Sequence, residues 1–185
     1  MFRALFLAVA CLLASATASI ASRLALYSDA AMSQCSLTDT NAGIADVYVV
    51  HRELPFQGAV GSVFEVAASA GFVGTWLEDI SPAGLTRNGT SQSGIAVGYG
   101  GVCKFTDLLI LHVRYQMQGT STPCSFLQAS PYPGFPWIFT TTCGDDTELP
   151  VEGGRLIVNA DQTCPCGTVA TQPSTWARIK AMYRD

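Results

Sequence analysis

Apolar and polar side chains alternate along most of this chain. In "DVYVVHREL" (46–54) and "SVFEVAAS" (62–69), β-branched and aromatic residues dominate, as expected of half-buried strands whose successive side chains point to opposite faces. The longest such run is "TDLLILHVRYQMQG". There Leu109, Leu111, Val113, Tyr115 and Met117 form one apolar row, and Leu108, Ile110, His112, Arg114 and Gln116 form a mixed one. One face should meet a core and the other water. Shorter strands are predicted at "LALYS", "GTWLED", "GIAVGY", "SFLQA", "WIFTTT" and "RLIVNA", with turns at "SPAG", "RNGTSQSG", "SPYPGFP" and "VEGG". Roughly seven to nine short strands separated by such turns predict an all-β fold, an antiparallel β-sandwich of immunoglobulin-like or jelly-roll type.

The two ends break the alternation. Residues 1–21 carry Arg3, an apolar run from Ala4 to Leu13 and then small residues, with Ser19 and Ala21 placed for cleavage after Ala21. This is the grammar of a secretory signal peptide, and the run is shorter than the about 20 residues that span a bilayer. The sandwich is expected over 22–166. Residues 167–185 read as a linker, "GTVATQP", followed by a short amphipathic helix capped by Ser174 or Thr175, with Trp176, Ile179 and Tyr183 on one face. So short a helix is marginal alone, so that face is expected to make a contact, on its own sandwich or on a docking partner. No later stretch is apolar enough for a transmembrane segment. The expected location is secreted, extracellular or at the cell surface, the periplasm included.

Composition narrows the partners. Removing Arg3 with the leader leaves nine basic residues against 14 acidic ones, a mature charge of −5 (9 − 14), which argues against nucleic acid. Seven cysteines become six without Cys11: Cys35, Cys103, Cys124, Cys143, Cys164 and Cys166. An even number in an exported chain predicts a disulfide framework. In "TCPCG" a bond between Cys164 and Cys166 would close a strained ring around Pro165, so each is expected to bond a distant partner. Cys124 and Cys143 lie symmetrically about Pro133 and Gly134. If "SFLQA" and "WIFTTT" form a hairpin, these two face each other and pair. If the first and last strands run parallel and side by side, Cys35 reaches the "CPC" corner and Cys103 takes its remaining cysteine.

Catalytic and metal chemistry finds little support. "GTSQSG" lacks the second glycine of a nucleophile elbow, and "GYGG" opens no helix, so no phosphate or dinucleotide loop is expected. His51 with Glu53 and His112 with Arg114 sit two apart, which on a strand puts each pair on a shared face. The acidic stretch "CGDDTELPVEGG", with Asp145, Asp146, Glu148 and Glu152, lacks the alternating ligands of a calcium loop. No cofactor, metal or catalytic residue is assigned. "NGT" at Asn88 is a glycosylation acceptor only in a eukaryotic pathway. The best contact candidates are Tyr132, Phe135 and Trp137 in "SPYPGFPW", aromatic side chains on a proline-stiffened loop that could bind with little ordering cost.

The strands "GSVFEVAAS" and "TDLLILHVRYQMQG" resemble those of cohesin-like and other immunoglobulin-like modules of exported bacterial proteins. The ending "STWARIKAMYR" resembles the short tails of many uncharacterised secreted bacterial proteins. A bacterial source is thereby implied, with Asn88 unmodified. The function expected is a non-catalytic binding or adhesion module with a protein or glycan partner at a surface. The alternatives are an extracellular hydrolase or carbohydrate-active enzyme on the same scaffold, and a structural subunit of a surface layer or filament.

Overall fold

The computed structural model describes residues 22–166. The leader, the linker and the helix of Trp176, Ile179 and Tyr183 lie outside the described residues. Within them every regular element is a strand: β1 (Arg23–Tyr27), β2 (Ser36–Leu37), β3 (Ala42–Arg52), β4 (Ala59–Ala68), β5 (Gly74–Ile80) and β6 (Thr86–Thr90). The second half holds β7 (Gly94–Gly98), β8 (Leu108–Gln118), β9 (Ser125–Ser130), β10 (Ile138–Thr142), β11 (Glu148–Gly153) and β12 (Arg155–Val158).

These strands form two layers. One runs β11-β1-β3-β8-β5, and the other runs from β6 through β7 and β4 to β9 and β10. The segment 148–158 joins the layers, because β11 pairs with β10 and β1 while β12 pairs with β9 and β2. Alternation fills the space between them. Val47, Val49, Leu111 and Val113 come from one layer and Phe64, Val66, Ile95, Val97 and Leu127 from the other, all buried. Each such side chain contributes about 1.5–3 kcal/mol through removal from water.

Two strands depart from the sequence expectation for stated reasons. β6, "TRNGT", was expected as a turn because it is polar throughout, yet it pairs with β7 as an edge strand. β11 contains Pro150, which cannot donate to a ladder; its parallel partner β1 meets it only at Glu152 and Gly153, beyond the proline. A bulge also breaks the strict alternation of β8. Val49 faces Leu111 while Val50 faces Leu109, so the skipped Ile110 turns into a buried position.

All six cysteines of the described chain are bonded, as Cys35–Cys166, Cys103–Cys143 and Cys124–Cys164. Cys164 and Cys166 each take a distant partner, and Cys35 does reach the "CPC" corner beside the parallel pairs β1–β11 and β2–β12. The Cys124–Cys143 pairing is corrected, and with it Cys103 at "CPC". β9 and β10 do not form a hairpin: β9 pairs with Glu65–Ala68 of β4 and β10 with Ala59–Val63, so the two lie end to end. Cys124 and Cys143 therefore sit at opposite ends of the sandwich, where Cys143 meets Gly58 and Cys124 meets Asn159.

Candidate partner-binding surface

Between β9 and β10 the chain leaves the sheet for residues 131–137 and returns to the same edge of β4. Pro133 and Gly134 build the turn: the Phe135 N–H donates to the Tyr132 carbonyl at 2.9 Å, and Gly134 has φ +90°. Proline followed by a positive-φ glycine is the chemistry of a type II turn. The turn folds back over the sheet. Tyr132 and Phe135 meet edge-on with centroids 5.7 Å apart, and Phe135 lies 5.3 Å from Phe139. Tyr132 covers Gly94 on β7 so closely that a Cβ there would come within 2.5 Å of its ring. Phe135 and Trp137 remain 46% and 51% exposed. The three aromatic residues singled out in the sequence thus form one flap, with Tyr132 as its foot and the other two as its exposed rim; Trp137 does not close the core.

The sheet face beside the flap has small, uncharged side chains. Val63 and Ala67 on β4, and Ala96 and Gly98 on β7, alternate with the buried Phe64, Val66, Ile95 and Val97 and therefore point outward. Phe126, Gln128 and Ser130 on β9 continue this face. Gly98 lets Thr86 of β6 approach, since a Cβ there would lie 2.7 Å from the Thr86 Oγ1. Asn88 is exposed on β6, opposite Ala96. The charged groups of the face are Glu65 and Arg155, and Arg155 is already engaged: its guanidinium lies 4.3 Å from the Phe126 ring centroid and its Nε donates to Gln128 at 2.8 Å. These small outward residues were not singled out in the sequence. The signal was present in the outward positions of "AVGSVFEVAAS" and "GIAVG", where one charge falls among alanine, glycine and valine.

The opposite face carries internally matched charges beside the exposed Ile44. Asp46 on β3 accepts from His112 Nε2 at 2.6 Å and from Arg114 Nε at 3.1 Å, and Arg114 also reaches Glu78 on β5 at 3.1 Å. Tyr48 stacks on His112 with centroids 4.7 Å apart. Partial burial raises the Asp46 pKa, but the His112 and Arg114 hydrogen bonds outweigh it and hold the carboxyl below its ordinary range. His112 and Arg114 do share a face, as their spacing required.

His51 and Glu53 do not. β3 ends at Arg52, and Glu53 turns away with φ +54° to pair with Arg23 at 3.3 Å. His51 instead joins the two layers from inside: Nε2 bonds the Ser22 hydroxyl at 2.6 Å, Nδ1 the Tyr99 hydroxyl at 2.7 Å, and Tyr99 bonds Ser62 at 2.6 Å. Burial lowers its pKa to about 4, against a smaller upward pull from Asp107, so the ring is neutral at neutral pH. Burial likewise raises the Tyr99 pKa. His51 has no exposed surface, which leaves it no route to a substrate. The acidic stretch is used locally, with Asp145 accepting from the Thr142 hydroxyl at 2.6 Å. Two of the sheet edges, β5 and β6, are blunted against chain-to-chain pairing by a bulge at Leu77 and by the polar "TRNGT".

The architecture is that of a cohesin-like β-sandwich. Cohesin modules among solved structures are similar to it. One belongs to a family 33 glycoside hydrolase of Clostridium perfringens, at TM-score 0.56 and 11% identity over 76% of this chain and 98% of that one. A second is the OlpA cohesin in a type I cohesin–dockerin complex from Clostridium thermocellum, at TM-score 0.51 and 14% identity over 75% and 99%. A third is the sixth cohesin of scaffoldin B from Acetivibrio cellulolyticus in complex with a dockerin, at TM-score 0.52 and 11% identity over 76% and 99%. No protein-family model and no curated protein matches the sequence.

Proposed function

We propose that this chain is a non-catalytic protein-binding module, exported to the cell surface or beyond, whose contact surface is the flap of Tyr132, Phe135 and Trp137 together with the outer face of β4, β7 and β9. One observation carries the reading: two half-exposed aromatic side chains are held on a proline–glycine turn at the border of a nearly uncharged sheet face. Rigid aromatic anchors beside a surface that is cheap to dehydrate are the usual core of a protein interface. The cohesin-like fold supports it, since two of the similar structures are complexes with dockerins, and the partner expected here is likewise a small folded protein domain. Three disulfides support export, because such bonds persist in oxidising compartments.

Photocrosslinking tests the reading. A photoreactive residue at position 137 should capture a protein partner in the producing cells, and one at position 44, exposed on the Asp46 face, should not. Capture from position 44 alone would sink the proposal.

A further inference from the structure

The end of the sandwich that holds Gly58 and Cys143 carries apolar side chains that neither the core nor the flap face uses. Phe56, in the loop between β3 and β4, is 98% exposed; Phe105 and Val102, in the loop between β7 and β8, are 63% and 58% exposed. Each loop braces the other. Ala59 and Lys104 exchange backbone hydrogen bonds, both 2.9 Å, and Cys103 bonds Cys143 at the end of β10. Phe105 lies over Gly58, where a Cβ would come within 2.7 Å of its ring, and the Gly58 N–H donates to the Pro55 carbonyl at 2.7 Å. Phe56 is thus a knob on a closed turn. The same tip has a hole: a groove of about 320 Å³ is lined by Leu85, Val102, Leu108 and Leu109, with Lys104 on its wall. An apolar site of about 150 Å³ accepts a benzene ring, so this groove has room for a phenyl group.

The tip is complementary to itself. Braced loops that hold large apolar groups in water mark a contact surface. Because knob and groove share one tip, two copies related by a two-fold axis can fill both grooves at once, and such a contact closes at two. Charge fits the same arrangement. Glu53 is matched by Arg23 at 3.3 Å and Asp107 by Arg52 at 2.7 Å, whereas Lys104 and Asp146, in the turn after Cys143, are in no ion pair among the described residues. The tip therefore presents free charge of both signs to a facing copy. Area is also adequate. Phe56, Phe105 and Val102 expose roughly 400 Å² per copy, and two such tips with their groove walls reach the about 1,000 Å² that a specific interface needs.

We propose that this tip binds a second copy of the chain, Phe56 of each copy entering the groove of the other, with both flap faces left open to protein partners. So small an interface makes a micromolar dimer. Sedimentation velocity of the secreted chain from about 1 to 100 μM should show monomer passing to dimer and no larger species. Phe56→Asp alters a side chain almost free of protein contacts and should weaken association about tenfold or more. A photoreactive residue at position 56, in a mixture of isotopically light and heavy chains, should join light to heavy at the groove residues. A monomer at every concentration, growth beyond the dimer, undiminished association of the Phe56→Asp variant, or capture at residues 131–137 would each overturn the proposal.

Discussion

Asp46 and Ala96 occupy comparable positions, each pointing out from a central strand of its layer, yet their surroundings differ. Around Asp46 every charge has a partner on the same face: His112, Arg114 and Glu78 form one chain of hydrogen bonds. Around Ala96 there is little to match, because glycine, alanine, valine and threonine fill most outward positions, with Asn88 opposite Ala96 and Glu65 as the one charge on β4. A partner covering the first face must dehydrate ions already satisfied, at several kcal/mol per ion. A partner covering the second mostly displaces water from small apolar groups and gains the flap's aromatic area. Regular alternation alone makes both faces; the choice of outward residues makes one self-contained and the other available.

The contrast can be broken at the flap with the largest effect. Phe135→Ala with Trp137→Ala should weaken partner binding by about 100-fold or more, as expected for paired aromatic anchors, and leave the melting temperature almost unchanged because both rings are half-exposed. Equal loss from Asp46→Ala would erase the distinction between the faces.

Acid probes the tie between the layers. Folded His51 has its pKa at about 4, below the ordinary 6.5, so between these values the unfolded chain takes up a proton that the folded chain refuses. Stability should be full above about pH 6.5 and fall as pH drops towards 4, by about 3 kcal/mol in all. Asp46, held below its ordinary range, adds losses only below that window. Denaturant titrations at pH 7 and pH 4.5 measure the slope, and His51→Gln should flatten it; an unchanged slope would contradict the assignment.

A smaller effect is expected at the flap's socket. Gly94 has φ +103° and no room for a Cβ beneath Tyr132, so Gly94→Ala should cost about 1–3 kcal/mol and loosen the flap, weakening partner binding as well. On the opposite face Asp46→Asn should cost only about 0.5 kcal/mol, reduced further by salt, because the pair is partly exposed. Partner binding should not change, as an affinity measurement would show.

β3, β4 and β8 were readable in the sequence because one buried face imposes alternation on ten or eleven residues. β6 and β11 were not, since an edge strand needs no apolar face and Pro150 is tolerated only because β1 stops short of it. The flap's aromatic residues were legible from composition beside Pro133 and Gly134. Their foothold was hidden: that Gly94 leaves space for Tyr132 depends on a contact across 38 residues of sequence. The symmetry of Cys124 and Cys143 misled for a related reason. Residues 131–137 look like a hairpin turn, and only the pairing of both flanking strands with β4 shows that they interrupt a single edge.

The face assignment is tested most directly by amide chemical-shift mapping of the isotope-labelled protein as its partner is added. The account predicts shifts at residues 131–137 and along β6, β7 and the outward positions of β4, with β5 and β8 unmoved. Shifts centred on Asp46, His112 and Arg114, with the flap silent, would contradict it.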